Sequence, residues 1–234
     1  MDLKIEITKL YALHNATIQL EHGIREFGKT TSRWRDFAPS RFIYAYFTFN
    51  SIYSFDWANS FSEMKAIYWG EKEEEKIPKE EVQIKFFLKF VYEQLGEKSA
   101  IHFQAETRKW VKIFGVQNPI QELEKMDLIN ATKKVEQLGK QFPGNFSNIY
   151  NMKLMPTDFY SVSCVLLEFI YKVRCNLFHG RKTRIELLDK GQQKRLLIYT
   201  ALLIATNNLL FECANSVGWL RVPVNPEAPH PSPQ

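Results

Sequence analysis

Cysteine is scarce in this 234-residue chain, and what there is comes unpaired. Cys164, Cys175 and Cys213 are odd in number, lie far apart and show no CxxC spacing. Neither a disulfide framework nor a zinc site is suggested, and a reducing cytoplasm is the natural home. The start of the chain also lacks an apolar stretch. "MDLKIEITKLYALHNATIQ" mixes polar and charged residues, so no signal peptide is expected. The longest greasy run, "LLIYTALLIATNNLLFECA", is interrupted by Thr200, Thr206, Asn207 and Asn208. It reads as a buried core helix and not as a membrane span. No internal repeat is apparent, and runs of alternating polarity are scarce, which leaves helix signals dominant.

What the chain does contain is bulky apolar matter. Hydrophobic residues make up 45% and charged residues 24%, with 18 Phe and 10 Tyr. Such a composition builds a sizeable globular core without disulfides. The net charge of +5 permits an anionic partner such as RNA but does not single one out.

The reading along the chain is all-α: one helical domain over residues 1–220, followed by a Pro-rich tail over 221–234. A first helix is expected over Thr8–Phe27, then a basic loop, "GKTTSRWRDFAPS". Core helices follow at about 38–60, 157–179 and 186–217, paired as the centre of the bundle. The segment from about 61 to 156 reads as a helical insertion or satellite lobe. It contains a helix over Glu80–Leu95, shorter ones near Ala100–Phe114, Pro119–Asp127 and Ala131–Phe142, then a loop rich in Asn, Gly and Pro. The acidity of "GEKEEEKIPKEE", Gly70 to Glu81, reads as solvation. Thr157 is the expected N-cap of the 157–179 helix and Gly180 its C′ residue.

Chemistry concentrates in "YKVRCNLFHGRK", Tyr171 to Lys182. On a helix, Cys175 and Asn176 share a face with His179, being four and three residues before it. Arg174 is long enough to join Asn176 and His179 around one phosphate-sized ligand at the helix terminus. The partial negative charge there raises the pKa of a nearby His. An imidazole beside a guanidinium is suitable equipment for a phosphodiester. Lys172, Arg181, Lys182 and Arg184 add cations, with no acid between Lys172 and Arg184. The same residues also suit a plain helix end, with His179 capping carbonyls and Arg174 paired to a distant carboxylate.

"VRCNLFHGRK" resembles the signature of the HEPN superfamily of all-α nucleotide-binding and ribonuclease domains, an Arg followed after four to six residues by a His. Arg174, Asn176, Leu177, Phe178, His179, Gly180 and Lys182 fall in that pattern. Upstream, "YFTFNSIY" (Tyr46 to Tyr53) resembles the aromatic Phe-Asn-x-hydrophobic-Tyr helix of many members. The resemblance implies a HEPN-like bundle with the insertion between its two motif helices. It also implies a homodimer with the Arg and His of both chains facing one cleft. The activity it implies is metal-independent cleavage of RNA by the ribose 2′-hydroxyl, leaving a 2′,3′-cyclic phosphate, in a toxin or anti-phage setting. Arg174 would bind the phosphate, His179 would move protons, and Asn176 or Asn50 would orient one of these groups. No cofactor or metal is implied and no membrane, while an antitoxin or other regulatory protein is a further partner of such enzymes. Cys175 departs from the pattern, standing where members usually carry a polar residue; it reads as a small half-buried substitute, with thiol chemistry as the alternative. The departure keeps a second reading open, a non-catalytic HEPN-like module that binds RNA, a nucleotide or a protein.

Other candidates carry less. His14 and His22 lie eight residues apart and define no metal set, His102 is isolated, and "GKTTSRWR" lacks the spacing of a phosphate loop. The aromatic run Tyr44–Trp57 reads as core, with Tyr53 or Trp57 also considered as a platform for a base.

Overall fold

Every residue from Leu196 to Phe211 is buried. A helix hydrophobic on all sides must be wrapped by others, and this one is. The computed structural model of the chain describes residues 3–31, 38–54, 79–126, 131–178, 187, 189–216 and 218. Among these, all regular structure is helical: α1 (Leu3–Thr31), α2 (Ala38–Tyr53), α3 (Glu80–Leu95), α4 (Lys98–Ile113), α5 (Pro119–Glu124), α6 (Lys133–Tyr150), a 3-10 turn (Pro156–Asp158), α7 (Phe159–Phe178) and α8 (Lys190–Ser216). By length and composition α8 could cross a membrane, but 94% of its apolar window is buried against the rest of the protein.

Most buried polar side chains within α8 find partners inside the protein, although Asn207 Oδ1 has none among the described residues. Thr200 and Thr206 donate to the carbonyls of Leu196 and Leu202, each at 2.8 Å. Asn207 Nδ2 donates to the Ala45 carbonyl at 3.3 Å, tying α8 to α2. Such bonds keep buried polar groups from costing roughly 1–3 kcal/mol apiece. At the N-terminus, Asp189 accepts from the Gln192 N–H at 2.7 Å, a side-chain cap.

The packing corrects the expected centre of the bundle. α8 lies against α2 and α4, while α7 packs on α6 and α3. α7 meets α8 through Phe169, whose ring is 6.0 Å from that of Tyr199. Phe142 of α6 completes the joint, 4.9 Å from Phe169 and 5.4 Å from Tyr199. Phe86, Phe87, Phe103, Phe142 and Phe146 come from the segment expected as an insertion. They belong to the same buried cluster as Phe49 and Leu203.

Local boundaries also differ from expectation. α1 is longer than the expected Thr8–Phe27. The expected loop after Phe142 is helix: α6 continues through Pro143 to Tyr150. An interior proline removes one backbone bond and costs about 3 kcal/mol. Here Phe142, Phe146 and Ile149 recur at helical spacing and are buried, and that burial offsets the loss. Thr157 is not an N-cap; it lies inside the 3-10 turn, and α7 begins at Phe159.

α6 ends in paired bonds, Met152 N–H to Ile149 O at 3.1 Å and Lys153 N–H to Asn148 O at 2.7 Å. Met152 holds the left-handed position (φ 59°) that glycine usually takes in this motif. Gln104 of α4 then clasps the next stretch. Its Oε1 accepts from the Leu154 N–H at 2.7 Å, and its Nε2 donates to the Leu154 carbonyl at 3.2 Å.

Candidate functional site

The two segments singled out in the sequence meet at one point. Arg174, in the last turns of α7, lays its guanidinium over the ring of Tyr46 on α2, 5.3 Å from the centroid. The guanidinium also reaches the adjacent thiol, Nη1 to Cys175 Sγ at 3.9 Å. Burial works against its charge, but the Cys175 contact and the negative field of Glu80 outweigh it, and the pKa of Arg174 stands above its ordinary value. Arg174, Cys175 and Asn176 are all half-buried and so open in part to solvent.

Beneath Arg174 runs a chain of hydroxyls along α2. Tyr46 and Tyr53 are seven residues apart on one face, two turns of helix, with their oxygens 3.1 Å apart. Tyr53 donates to Asn50 Oδ1 at 2.6 Å, and Glu80 Oε1 lies further off at 3.4 Å. Burial pushes the Tyr46 hydroxyl well above its ordinary value. Burial, helped by Glu80, pushes Tyr53 up to about 12. Both remain protonated donors at any physiological pH. Tyr171 of α7 joins from the other side; burial first, then its bonds to Glu80 and Cys175, raise its hydroxyl as well.

The ring of Tyr53 has no exposed surface on which a base could stack, and its hydroxyl is taken up in the hydrogen bonds to Tyr46 and Asn50. Phe42, Tyr46, Phe49 and Tyr53 are core, as the sequence suggested, while Tyr44 and Phe47 are exposed. Trp57 lies outside the described residues, as do His179, Gly180, Arg181, Lys182 and Arg184.

Lys172 is committed elsewhere. It pairs with Glu81, and its ammonium lies 4.8 Å from the Tyr171 ring centroid. Glu81 also binds Lys134 at 2.8 Å, and Lys134 reaches Glu168. The alternating charges tie α3, α6 and α7 together. Burial alone would raise the Glu81 pKa, but the two lysines outweigh it and hold the carboxylate below its usual range. The acidic residues at the end of the 70–81 stretch are therefore partners and not a solvated flank, a correction for Glu80 and Glu81.

Two contributors, Tyr46 and Glu80, were not singled out as site residues in the sequence, and one buried charge elsewhere on α2, Arg41, was also missed. Tyr46 was visible only as one aromatic among many. Glu80 sat at the edge of an acidic run and gave no signal of its own. Arg41 is fully buried at the start of α2, with its guanidinium 5.5 Å from the Phe114 ring centroid. The described residues hold no group of three or more His, Cys, Asp or Glu placed for a metal. Compared with known proteins, the chain matches no family model, no curated protein and no solved structure.

Proposed function

We propose that this chain is a HEPN-like, metal-independent endoribonuclease of toxin or anti-phage type, working in the cytoplasm as a two-fold dimer. The observation that carries the reading is the meeting of Arg174 with Tyr46. It joins the Arg-x4-His segment to the Phe-Asn-x-Ile-Tyr helix, the two parts of the chain that resemble that superfamily. In this reading Arg174 binds the scissile phosphate and its developing charge. His179 moves protons, Asn176 assists, and Arg181, Lys182 and Arg184 hold the RNA backbone electrostatically. The 2′-hydroxyl attacks the adjacent phosphorus, the P–O5′ bond breaks, and a 2′,3′-cyclic phosphate and a 5′-hydroxyl remain.

A second reading is favoured by one observation. Arg174 Nη1 reaches the thiol of Cys175, which stands where members of that superfamily usually carry a polar residue. A non-catalytic module that binds RNA, a nucleotide or a protein would need no more than the Arg174 charge. One experiment separates the two: purified protein, total RNA and a chelator, followed by end-group analysis. Cyclic phosphate ends that vanish in a folded His179→Ala variant support the enzyme. RNA retained on the protein but uncut supports the module. Light scattering at micromolar concentration tests the dimer; a monomer with full activity would sink the shared cleft.

A further inference from the structure

We infer that Asn50 is a second anion-holding group beside Arg174, and that Tyr53 is a positioning residue that turns the Asn50 amide for that task. The direction of the hydrogen bonds carries the argument. Tyr53 has one proton and two acceptors in reach, Asn50 Oδ1 at 2.6 Å and Glu80 Oε1 at 3.4 Å. A hydroxyl given to a carboxylate makes a bond of roughly 2.5–2.7 Å. The proton therefore belongs to Asn50. With its proton spent there, Tyr53 accepts from Tyr46, whose oxygen is 3.1 Å away. The relay runs from Tyr46 to Tyr53 to Asn50 Oδ1, and it fixes which end of the amide is which. The acceptor end points at Tyr53, and the Nδ2 donors are left on the other side.

Position does the rest. Asn50 is four residues after Tyr46, so the two share a face of α2, one turn apart. Arg174 sits on the Tyr46 ring. Asn50 and Arg174 are both half-buried, so each keeps part of its surface in solvent. An oriented amide N–H pair one turn from a guanidinium suits a phosphate oxygen, or any tetrahedral oxyanion of that size. Glu80 partly offsets the Arg174 charge, so the subsite depends on directed donors more than on net charge. The identity of the anion as RNA phosphate rests on the ribonuclease reading; the subsite itself does not.

The test follows the Asn50 side-chain amide and the Arg174 Nε–H by nitrogen–proton NMR while inorganic phosphate is added, with chloride at matched ionic strength as control; the Arg174 signal is the reporter in variants that lack the Asn50 amide. In the wild type the two Asn50 Nδ2 proton signals should move saturably with phosphate and stay still with chloride. Tyr53→Phe keeps the ring and loses the hydroxyl; half-saturation should rise about tenfold, the worth of one charge-assisted bond. Asn50→Leu should cost as much, and the double variant no more than Asn50→Leu alone, because Tyr53 acts through Asn50. Asn50→Asp keeps the acceptor toward Tyr53 and removes the donor. It should abolish phosphate binding with an unchanged melting temperature, and it serves if Tyr53→Phe fails to fold. An Asn50 amide in the wild type that ignores phosphate overturns the inference, as does full additivity of the two single variants. The chelated RNA assay separates this from the larger reading. RNA cut while Asn50 stays silent to phosphate sinks only the subsite; phosphate sensed while RNA stays intact sinks only the nuclease.

Discussion

Two polar clusters in this bundle differ in what they leave for the outside. The first is closed at His14 and Asn208, with only Glu106 at its outer end half-buried and paired to Lys109 at 3.1 Å. His14 of α1 bonds Asn208 Oδ1 at 2.7 Å, and Asn208 Nδ2 donates to Glu106 at 2.8 Å. Trp110 Nε1 also donates to Glu106, at 3.2 Å. His14 lies against the Phe211 ring, centroids 5.1 Å apart, and is 2% exposed. Burial drives its pKa down to about 4, against the smaller upward pull of Asn208. The second cluster, around Arg174, Tyr46, Tyr53 and Asn50, uses the same kinds of groups but keeps Arg174 and Asn50 half-open. The closed cluster fixes helices. The open one has a charge and a donor to offer a ligand.

The comparison can be broken by matched substitutions. The largest effect is expected at the open cluster, and in activity. Arg174→Ala should lower RNA cleavage by about a hundred- to a thousandfold, the size of losing one transition-state charge partner. Its melting temperature should shift little. If the variant unfolds yet cuts normally per folded molecule, the two clusters do not differ in kind.

Next is Asn208→Leu, at the closed cluster. It strands His14, while Glu106 keeps Trp110 and Lys109, and should destabilise the protein by about 2 kcal/mol, read by urea unfolding. Cleavage per folded molecule should not change. A loss under 1 kcal/mol would mean the His14–Asn208–Glu106 chain is not what holds α1 and α4 to α8.

A pH titration of stability sharpens the same point. His14 has a folded pKa of about 4 against an ordinary 6.5. The unfolded chain thus takes up its proton first as pH falls. The contribution of His14 is fully present above 6.5 and declines through the window down to 4. By pH 5 the loss should reach about 2 kcal/mol, and His14→Gln should flatten it. Carboxylates such as Glu81, held below their usual range, begin to lose their contribution only near the ordinary value of 4.5, so the stretch from 6.5 down to about 5 reports His14.

The smallest effect is expected at the surface ladder. Lys172→Ala should cost less than about 1 kcal/mol, and the cost should fade as salt is raised. If Lys172→Ala instead weakens RNA binding strongly, the lysine leaves Glu81 when RNA arrives.

Which parts of this were legible in the sequence follows from the range of each signal. The all-α character was legible because runs of alternating polarity are scarce and the apolar stretch 196–211 is too long for a strand. The length of α6 was not, because Pro143, Gly144 and Asn145 speak locally for a loop. Phe142, Phe146 and Ile149 speak for a helix only once a core exists to receive them. The paired role of Glu80 and Glu81 was hidden for a similar reason. Their partners, Tyr53, Lys134 and Lys172, are 27, 53 and 91 residues away along the chain. The Arg174 segment was legible as chemistry because its residues are contiguous. Its seat on Tyr46 was not, since no local spacing relates positions 46 and 174.

The clasp of Gln104 on Leu154 makes the following joint a gauge of rotational phase. The side-chain amide grips both the N–H and the carbonyl of one residue, as a neighbouring strand would, so the chain leaves Leu154 at a fixed place. α7 begins at Phe159. Each residue inserted or deleted along a helix turns everything beyond it by about 100°. A length change inside α7 ahead of Arg174 cannot be absorbed at the clasp, so it appears as a turn of everything beyond it. Arg174 is then carried off the face it shares with Tyr46. The same change placed on the far side of Leu154 is stopped at the clasp and never reaches the guanidinium.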